Sequence, residues 1–306
     1  MLKVFYFGSP HHAEVVGEIL GSLGFERTSL KEAELLYWIA AIPTARRLRY
    51  LTDFIRSREK KLVMHWIGSD VHNLIAPRNI IKKSYGVFLK LLTTNYSDRI
   101  LNLTGSAWLK EELETKGIES TVIPVTTISQ IQYASPNRDC LRKTDVLTYT
   151  QKRRFSFYNS DKILELAREL PEFKFKFLFG DVENIRELPK TRLENVTFLP
   201  RVPFEDMKET YLDSKCFLRI PVHDGLSLSI LESLYFKMQP IWSYSFPHVV
   251  TVDKDDKEGI HNELRCILED FTENESGHDY VKKEYSRSKI RENYERIIPK
   301  LGALNG

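Results

Sequence analysis

The sequence predicts an α/β protein with two successive doubly wound, Rossmann-like domains facing a cleft. Three observations carry this. Short apolar runs alternate with amphipathic stretches along most of the chain, and runs buried on both faces between helices belong to parallel sheets. The alternation pauses once, in a polar segment, and then restarts. The 306 residues accommodate about two domains at roughly 150 residues each.

In order, Leu2–Phe7 reads as a strand and Ala13–Leu23 has helical spacing. Leu35–Ala40 is a second strand, Thr44–Arg56 an amphipathic helix, and Lys61–Trp66 a third strand ending in Ile67-Gly68-Ser69-Asp70. Residues 77–91 are basic and apolar at helical spacing. Strands follow at Ile100–Leu103 and Ser120–Pro124, with a helix at Ala107–Thr115 between them. The polar stretch 126–144, with Pro136, Asn137 and Asp139, is the interdomain linker, and 134–144 is its core. After it come strand 145–150, helix 161–170, strand 173–179, strand 196–199, helix 205–213, strand 215–220, helix 226–237 and strand 240–244. The expected division is therefore 1–133, linker 134–144, 145–280, and C-terminal helices in 281–306 that pack back on the first domain. The Lys-, Arg- and Glu-rich stretch 280–301 reads as surface helix.

Composition narrows the function. Hydrophobic residues at 42% and charged residues at 28% suit a globular chain with a large core. A net charge of +3 gives no argument for nucleic acid as a partner. Cys140, Cys216 and Cys266 are far apart and form no CxxC pair, so neither a disulfide framework nor a zinc site is expected, and free thiols fit a cytoplasmic setting. The apolar start is too short for a signal peptide, and no apolar run approaches the ~20 residues needed to span a bilayer. Residues 77–91 can be read in two ways. One is a basic amphipathic helix in peripheral contact with an anionic membrane. The other is a core-facing helix with snorkelling lysines.

The chemistry concentrates in 217–234. A strand ends at Ile220, a short loop carries Asp224 and Gly225, and a helix begins near Leu226. A helix N-terminus after a strand is an anion site, because free N–H groups and the helix dipole meet the ligand there. Gly225 allows close backbone approach to that ligand. Glu232, about two turns along, projects towards the same cleft.

This segment resembles the retaining GT-B glycosyltransferases of glycosyltransferase family 4, which carry an acid, seven residues and a Glu, as in E-G-F-G-L-V-L-L-E. Here Asp224, seven residues and Glu232 stand in that pattern. The stretch 196–211, ending in Tyr211, resembles the family's V-x-F-L-G-x-V…E-D-L…Y. Gly180-Asp181 resembles its G-D turn, and Leu147–Thr150 with Arg154 resembles its G-R-L…K-G. The resemblance implies a nucleotide-sugar donor, a hydroxyl acceptor (sugar, glycan or lipid-linked), retention, and no metal or other cofactor. It gives Arg154 the diphosphate, and Lys152 or Arg153 is expected to supply the charge of the family lysine whose place Asn159 takes. It gives Glu232 the ribose, Asp224 the sugar hydroxyls, and the amides around Gly225, Leu226 and Ser227 the sugar and diphosphate. Leaving-group charge would then be met by a fixed cation and a helix N-terminus. The chain departs from the pattern with Asp for Glu at 224, Ser227 for the second glycine, and Asn159 for a lysine. A non-catalytic sugar- or nucleotide-binding relative, and an epimerase or phosphorylase of the same fold, are the alternatives.

In the first half, His65-Trp66-Ile67-Gly68-Ser69-Asp70 is similar to the family's H-G-x-D segment on the acceptor side. Asp70, with His65 behind it, is the expected acceptor-side pair, set against a helix cap for Asp70 and core packing for His65. Gly8-Ser9-Pro10-His11-His12 reads either as a ligand loop or as a plain β–α turn. Asp253-Lys254-Asp255-Asp256 reads as a solvated loop rather than a metal motif.

Overall fold

The computed structural model describes residues 1–42, 44–126, 142–150, 154–178, 193–200, 202 and 206–299. Lys152, Arg153, Gly180-Asp181, Cys140 and most of the expected linker lie outside the described residues. The chain divides into two compact units. Unit 1 comprises Met1–Ser129, His223–Leu226 and Glu284–Gly306, and unit 2 comprises Gln130–Val222 and Ser227–Lys283.

Unit 1 is built on β1 (Lys3–Gly8), β2 (Glu26–Arg27), β3 (Leu35–Ile39), β4 (Lys61–Trp66), β5 (Ile100–Thr104) and β6 (Thr121–Val122). They form one parallel sheet in the order β2-β1-β3-β4-β5-β6. Its helices are α1 (Pro10–Ser22), α2 (Ala45–Arg56), α3 (Ser69–Ile75), α4 (Ile80–Asn95) and α5 (Ala107–Glu114). Successive strand residues face opposite sides. Tyr37 and Ile39 enter one core with Val4, Val16 and Val63. Leu36 and Trp38 enter another with Phe54, Met64 and Leu109. Both faces are covered, which is why these strands read as unbroken apolar runs. Thr44 caps α2 by accepting from the Arg47 amide, the start expected from sequence.

Unit 2 repeats the plan with β7 (Thr144–Tyr149), β8 (Phe175–Leu178), β9 (Val196–Phe198), β10 (Ser214–Arg219), β11 (Gln239–Trp242) and β12 (Val250–Thr251). All pairs are parallel, in the order β12-β11-β10-β7-β8-β9. Its helices are α6 (Ser160–Glu169), α7 (Met207–Leu212), α8 (Leu228–Tyr235), α9 (Lys257–Glu269) and α10 (Glu275–Glu284). Val146, Ile163, Phe177, Leu218, Ile241 and Leu264 anchor its core.

Several expectations need correction. The helix expected from Leu226 begins at Leu228, because Ser227 is extended (φ −79°, ψ 116°) and serves as its cap residue. The two-residue strands β2 and β12 and the short helix α3 carry too little sequence pattern to be foreseen; α9 was not expected either, although Ile260, Leu264 and Leu268 recur at helical spacing behind the Asp256 cap. The tail is more than surface helix. α11 (Arg287–Glu295) sends Ile290 and Tyr294 into the core of unit 1, and Ile297 follows. No described helix is long and apolar enough to cross a membrane.

Candidate functional site

In unit 2 the strand order reverses at β7 and β10. From there one arm runs through β8 to β9 and the other through β11 to β12. Open α/β sheets bind ligands outside the carboxyl ends of strands at such a switch point. β7 ends at Tyr149 and β10 at Arg219. The Arg219 guanidinium lies 5.7 Å from the Tyr149 ring centre and 5.5 Å from that of Tyr158. The two rings meet edge to face at 4.9 Å. This geometry keeps the cation within cation–π reach of both rings. Arg154 is exposed, with its guanidinium 5.6 Å from the Phe157 ring centre.

The loop that carries these groups is fixed to the end of β10. Asn159 takes the left-handed conformation (φ 49°), which asparagine tolerates better than most residues. Its buried side-chain amide donates to the Ile220 carbonyl at 2.7 Å. The Val222 amide donates to the Phe157 carbonyl at 2.8 Å. Ser160 donates to Thr150 at 2.8 Å, with both residues buried. Asn159 therefore does structural work where the family pattern has a lysine. The cation that sequence reading missed is Arg219. Its signal was a charged residue at the carboxyl end of β10, directly after the apolar Cys216-Phe217-Leu218.

Glu232 lies in the middle of α8 and is buried. Tyr211, itself buried in α7, donates its hydroxyl to the Glu232 carboxylate at 2.5 Å. Burial raises the carboxyl to about 7, and the Tyr211 bond opposes that rise. Near neutrality the group can thus either accept or donate a hydrogen bond. Ser227 does not cap α8 with its side chain; its hydroxyl pairs with that of Ser229 at 2.9 Å.

Residues 223–226 belong to unit 1. His223 bonds the Glu112 carboxylate through Nε2 at 2.9 Å, and its ring lies 4.9 Å from that of His72. Trp108 donates its indole N–H to the Asp224 carbonyl at 3.1 Å, and the Asp224 carboxylate accepts from the Gly225 amide at 3.1 Å. A β-carbon on Gly225 would stand 1.9 Å from the Ile67 carbonyl oxygen. One on Gly68, which is at φ 134°, would stand 2.8 Å from the Gly225 nitrogen. The close approach expected of Gly225 is thus made by protein backbone. Leu226 packs on Gly105.

The acceptor-side expectation is corrected by burial. His65 is fully buried in β4. Its Nε2 donates to the Ile123 carbonyl at 2.9 Å, so Nδ1 accepts from the Tyr37 hydroxyl at 2.8 Å. Desolvation lowers it to about 3. Asp70 is buried at the start of α3 and accepts from the amides of Ala41 at 2.9 Å, Gly68 at 2.9 Å, Val71 at 3.0 Å and Ile67 at 3.1 Å. Burial raises its carboxyl and these four amides hold it back. Both residues are committed to the fold of unit 1. In the Gly8–His12 segment, Ser9 bonds His12 at 2.8 Å at the start of α1. Asp256 caps α9 by accepting from the Gly259 amide, and Asp255 pairs with Lys162. Among the described residues no group of three or more His, Cys, Asp or Glu is placed to hold a metal ion.

No family model and no curated protein matches the chain. Solved structures do match in fold. Sucrose-phosphate synthase from Thermosynechococcus elongatus superposes with a TM-score of 0.71 at 10% identity, covering 99% of this chain and 100% of that one. HepE from Anabaena, solved with UDP and glucose, gives 0.68 at 13% identity over 98% and 100%. TarM from S. aureus, solved with Fondaparinux, alpha-GlcNAc-glycerol and UDP, gives 0.65 at 10% identity over 89% of this chain. The present chain spans only 55% of the TarM length. With two parallel six-stranded sheets and interleaved helices, the chain has the α/β two-domain architecture of these GT-B proteins.

Proposed function

We propose that this chain transfers a sugar from a nucleoside-diphosphate sugar to a hydroxyl acceptor. The observation that carries the reading is Arg219 held against Tyr149 and Tyr158 at the switch point of unit 2, with Arg154 exposed on the adjoining loop. Fixed cations at the carboxyl ends of parallel strands suit a diphosphate, and aromatic rings beside them suit a base. HepE was solved with UDP and glucose and TarM with UDP, so the fold is one that holds such ligands.

In this reading Arg154 and Arg219 neutralise the diphosphate. Glu232 contacts the ribose, and Asp224 with the Leu226 and Ser227 amides contacts the sugar. The bond from the anomeric carbon to phosphate breaks and a bond to the acceptor oxygen forms on the same face, with retention. The acceptor proton passes to the departing phosphate oxygen. The arginines, rather than a metal, carry the stabilisation of leaving-group charge. The acceptor is a sugar, glycan or lipid-linked hydroxyl.

The test is a melting-temperature screen against UDP, GDP, ADP and CDP, followed by calorimetric titration of the best ligand. One nucleoside diphosphate is expected to raise the transition by mass action. Arg219→Ala is expected to weaken its binding by about 10- to 100-fold, the loss of a charged hydrogen bond. No shift with any nucleotide, or unchanged affinity in Arg219→Ala, would remove the site. Release of nucleoside diphosphate with an acceptor panel separates a transferase from a binding relative. Product mass separates it from an epimerase, which leaves mass unchanged.

A further inference from the structure

We infer that the outward face of α4 in unit 1 docks on an anionic lipid bilayer. The helix has two apolar sides. One faces the core, with Gly86, Leu89, Leu92 and Thr93 buried. The other faces out: Ile80 is 73% exposed, Ile81 74%, Val87 55% and Leu91 55%, and these four are among nine exposed large hydrophobic residues in the described part of the chain. At about 100° per residue, Ile80, Val87 and Leu91 fall within about 40° of one another. Ile81 lies on one flank of that stripe, and the exposed Lys83 and Lys90 lie on the other. An isolated exposed aliphatic needs no explanation, but three on one helix face, with Ser84 between Ile80 and Val87, do.

Charge selects the occupant. Residues 77–95 contain Arg78, Lys82, Lys83 and Lys90 and no Asp or Glu, in a chain whose totals nearly balance at 45 basic against 42 acidic residues. Two copies meeting through this face would bring like charges together. An anionic bilayer accepts both features: the aliphatic side chains enter the acyl boundary and the lysines meet lipid phosphates. The core-facing reading of this segment accounts for Leu89 and Leu92 but leaves the outer stripe uncovered. The docking reading does not rest on sugar transfer.

The experiment is flotation of the full chain with vesicles of phosphatidylcholine alone and of phosphatidylcholine with phosphatidylglycerol. Binding is expected to the anionic vesicles only, and to fall with added salt. Lys83→Gln and Lys90→Gln should each lower the partition coefficient about fivefold, and Val87→Asp with Leu91→Asp should abolish binding. Melting temperature and nucleotide affinity should stay at wild-type values in all of them. These positions are exposed, and if the aspartate pair unfolds the protein, the glutamine variants decide. Equal binding to neutral and anionic vesicles, no binding to either, or a stable dimer that the aspartate pair dissociates would overturn the proposal.

Discussion

Glu232 gives up hydration in the fold and accepts a bond from Tyr211, and burial raises its carboxyl from 4.5 to about 7. A folded-state value above the unfolded one means that the native protein holds the proton more tightly. The associated stability is fully present below about 4.5 and is lost as pH rises through about 7. At 1.36 kcal/mol per unit the difference is about 3 kcal/mol. Glu232→Gln keeps the shape and an acceptor for Tyr211 but cannot titrate. Urea midpoints across that window should therefore show wild type losing about 3 kcal/mol relative to the variant; parallel profiles would contradict the assignment. His65, lowered to about 3, acts in the other direction: its contribution is present above 6.5 and is lost as pH falls through about 3. That term is common to both proteins and cancels in the comparison. A second residue-scale prediction concerns Asn159. Installing the lysine of the family pattern would put a bulky cation in a left-handed, buried position and remove the bond to the Ile220 carbonyl. Asn159→Lys should cost about 2–3 kcal/mol, read as a fall in melting temperature, with no gain in nucleotide affinity.

At the scale of elements, the turn after β4 and the turn before α8 touch backbone to backbone through Gly68 and Gly225. Gly225→Ala places a methyl where the Ile67 carbonyl oxygen stands, so one turn must move. Overpacking of this kind costs typically about 1–3 kcal/mol. The fall in melting temperature should appear without any ligand. A variant stable when free and impaired only in nucleotide binding would return Gly225 to the ligand-contact role that the sequence suggested. The same comparison shows where sequence pattern carries information. β1, β3, β4 and β10 were legible because both faces are buried and their apolar stretches end in polar loops, whereas β7, with Thr144, Asp145 and Thr148, carries that pattern only at Val146-Leu147. The family resemblance singled out Asp224, Arg154 and Glu232 as candidates. It did not reveal that Asp70 points inward to four amides, that both nitrogens of His65 are engaged within the sheet, or that Arg219 lies on two tyrosine rings. Each depends on residues distant in sequence: Tyr37, Ile123 and Tyr149 are not neighbours of the positions they define.

At the scale of the whole molecule, unit 1 cannot complete its core from its first 129 residues. Ile290, Tyr294 and Ile297 are buried with Val4, Val16 and Tyr37. Polarity can be followed along the chain of bonds: because His65 Nε2 donates to a carbonyl, Nδ1 must accept from Tyr37, and Tyr37 in turn accepts from Tyr294 at 3.1 Å. The last helix thus ends a buried relay that runs through β3 and β4 to the Ile123 carbonyl. Tyr294→Phe keeps the packing and removes one donor, at a cost of about 1 kcal/mol. Tyr294→Ala also empties the ring volume, at about 3–5 kcal/mol. Urea denaturation of the full-length variants should show the alanine variant losing the larger share of stability, while its His65 ring resonances keep the tautomer that the Ile123 carbonyl fixes. The phenylalanine variant should keep the tautomer, since Tyr37 still donates to Nδ1. If both variants cost the same, the buried ring contributes nothing beyond the hydroxyl. If neither costs anything, α11 is a surface helix, as its charged sequence first suggests.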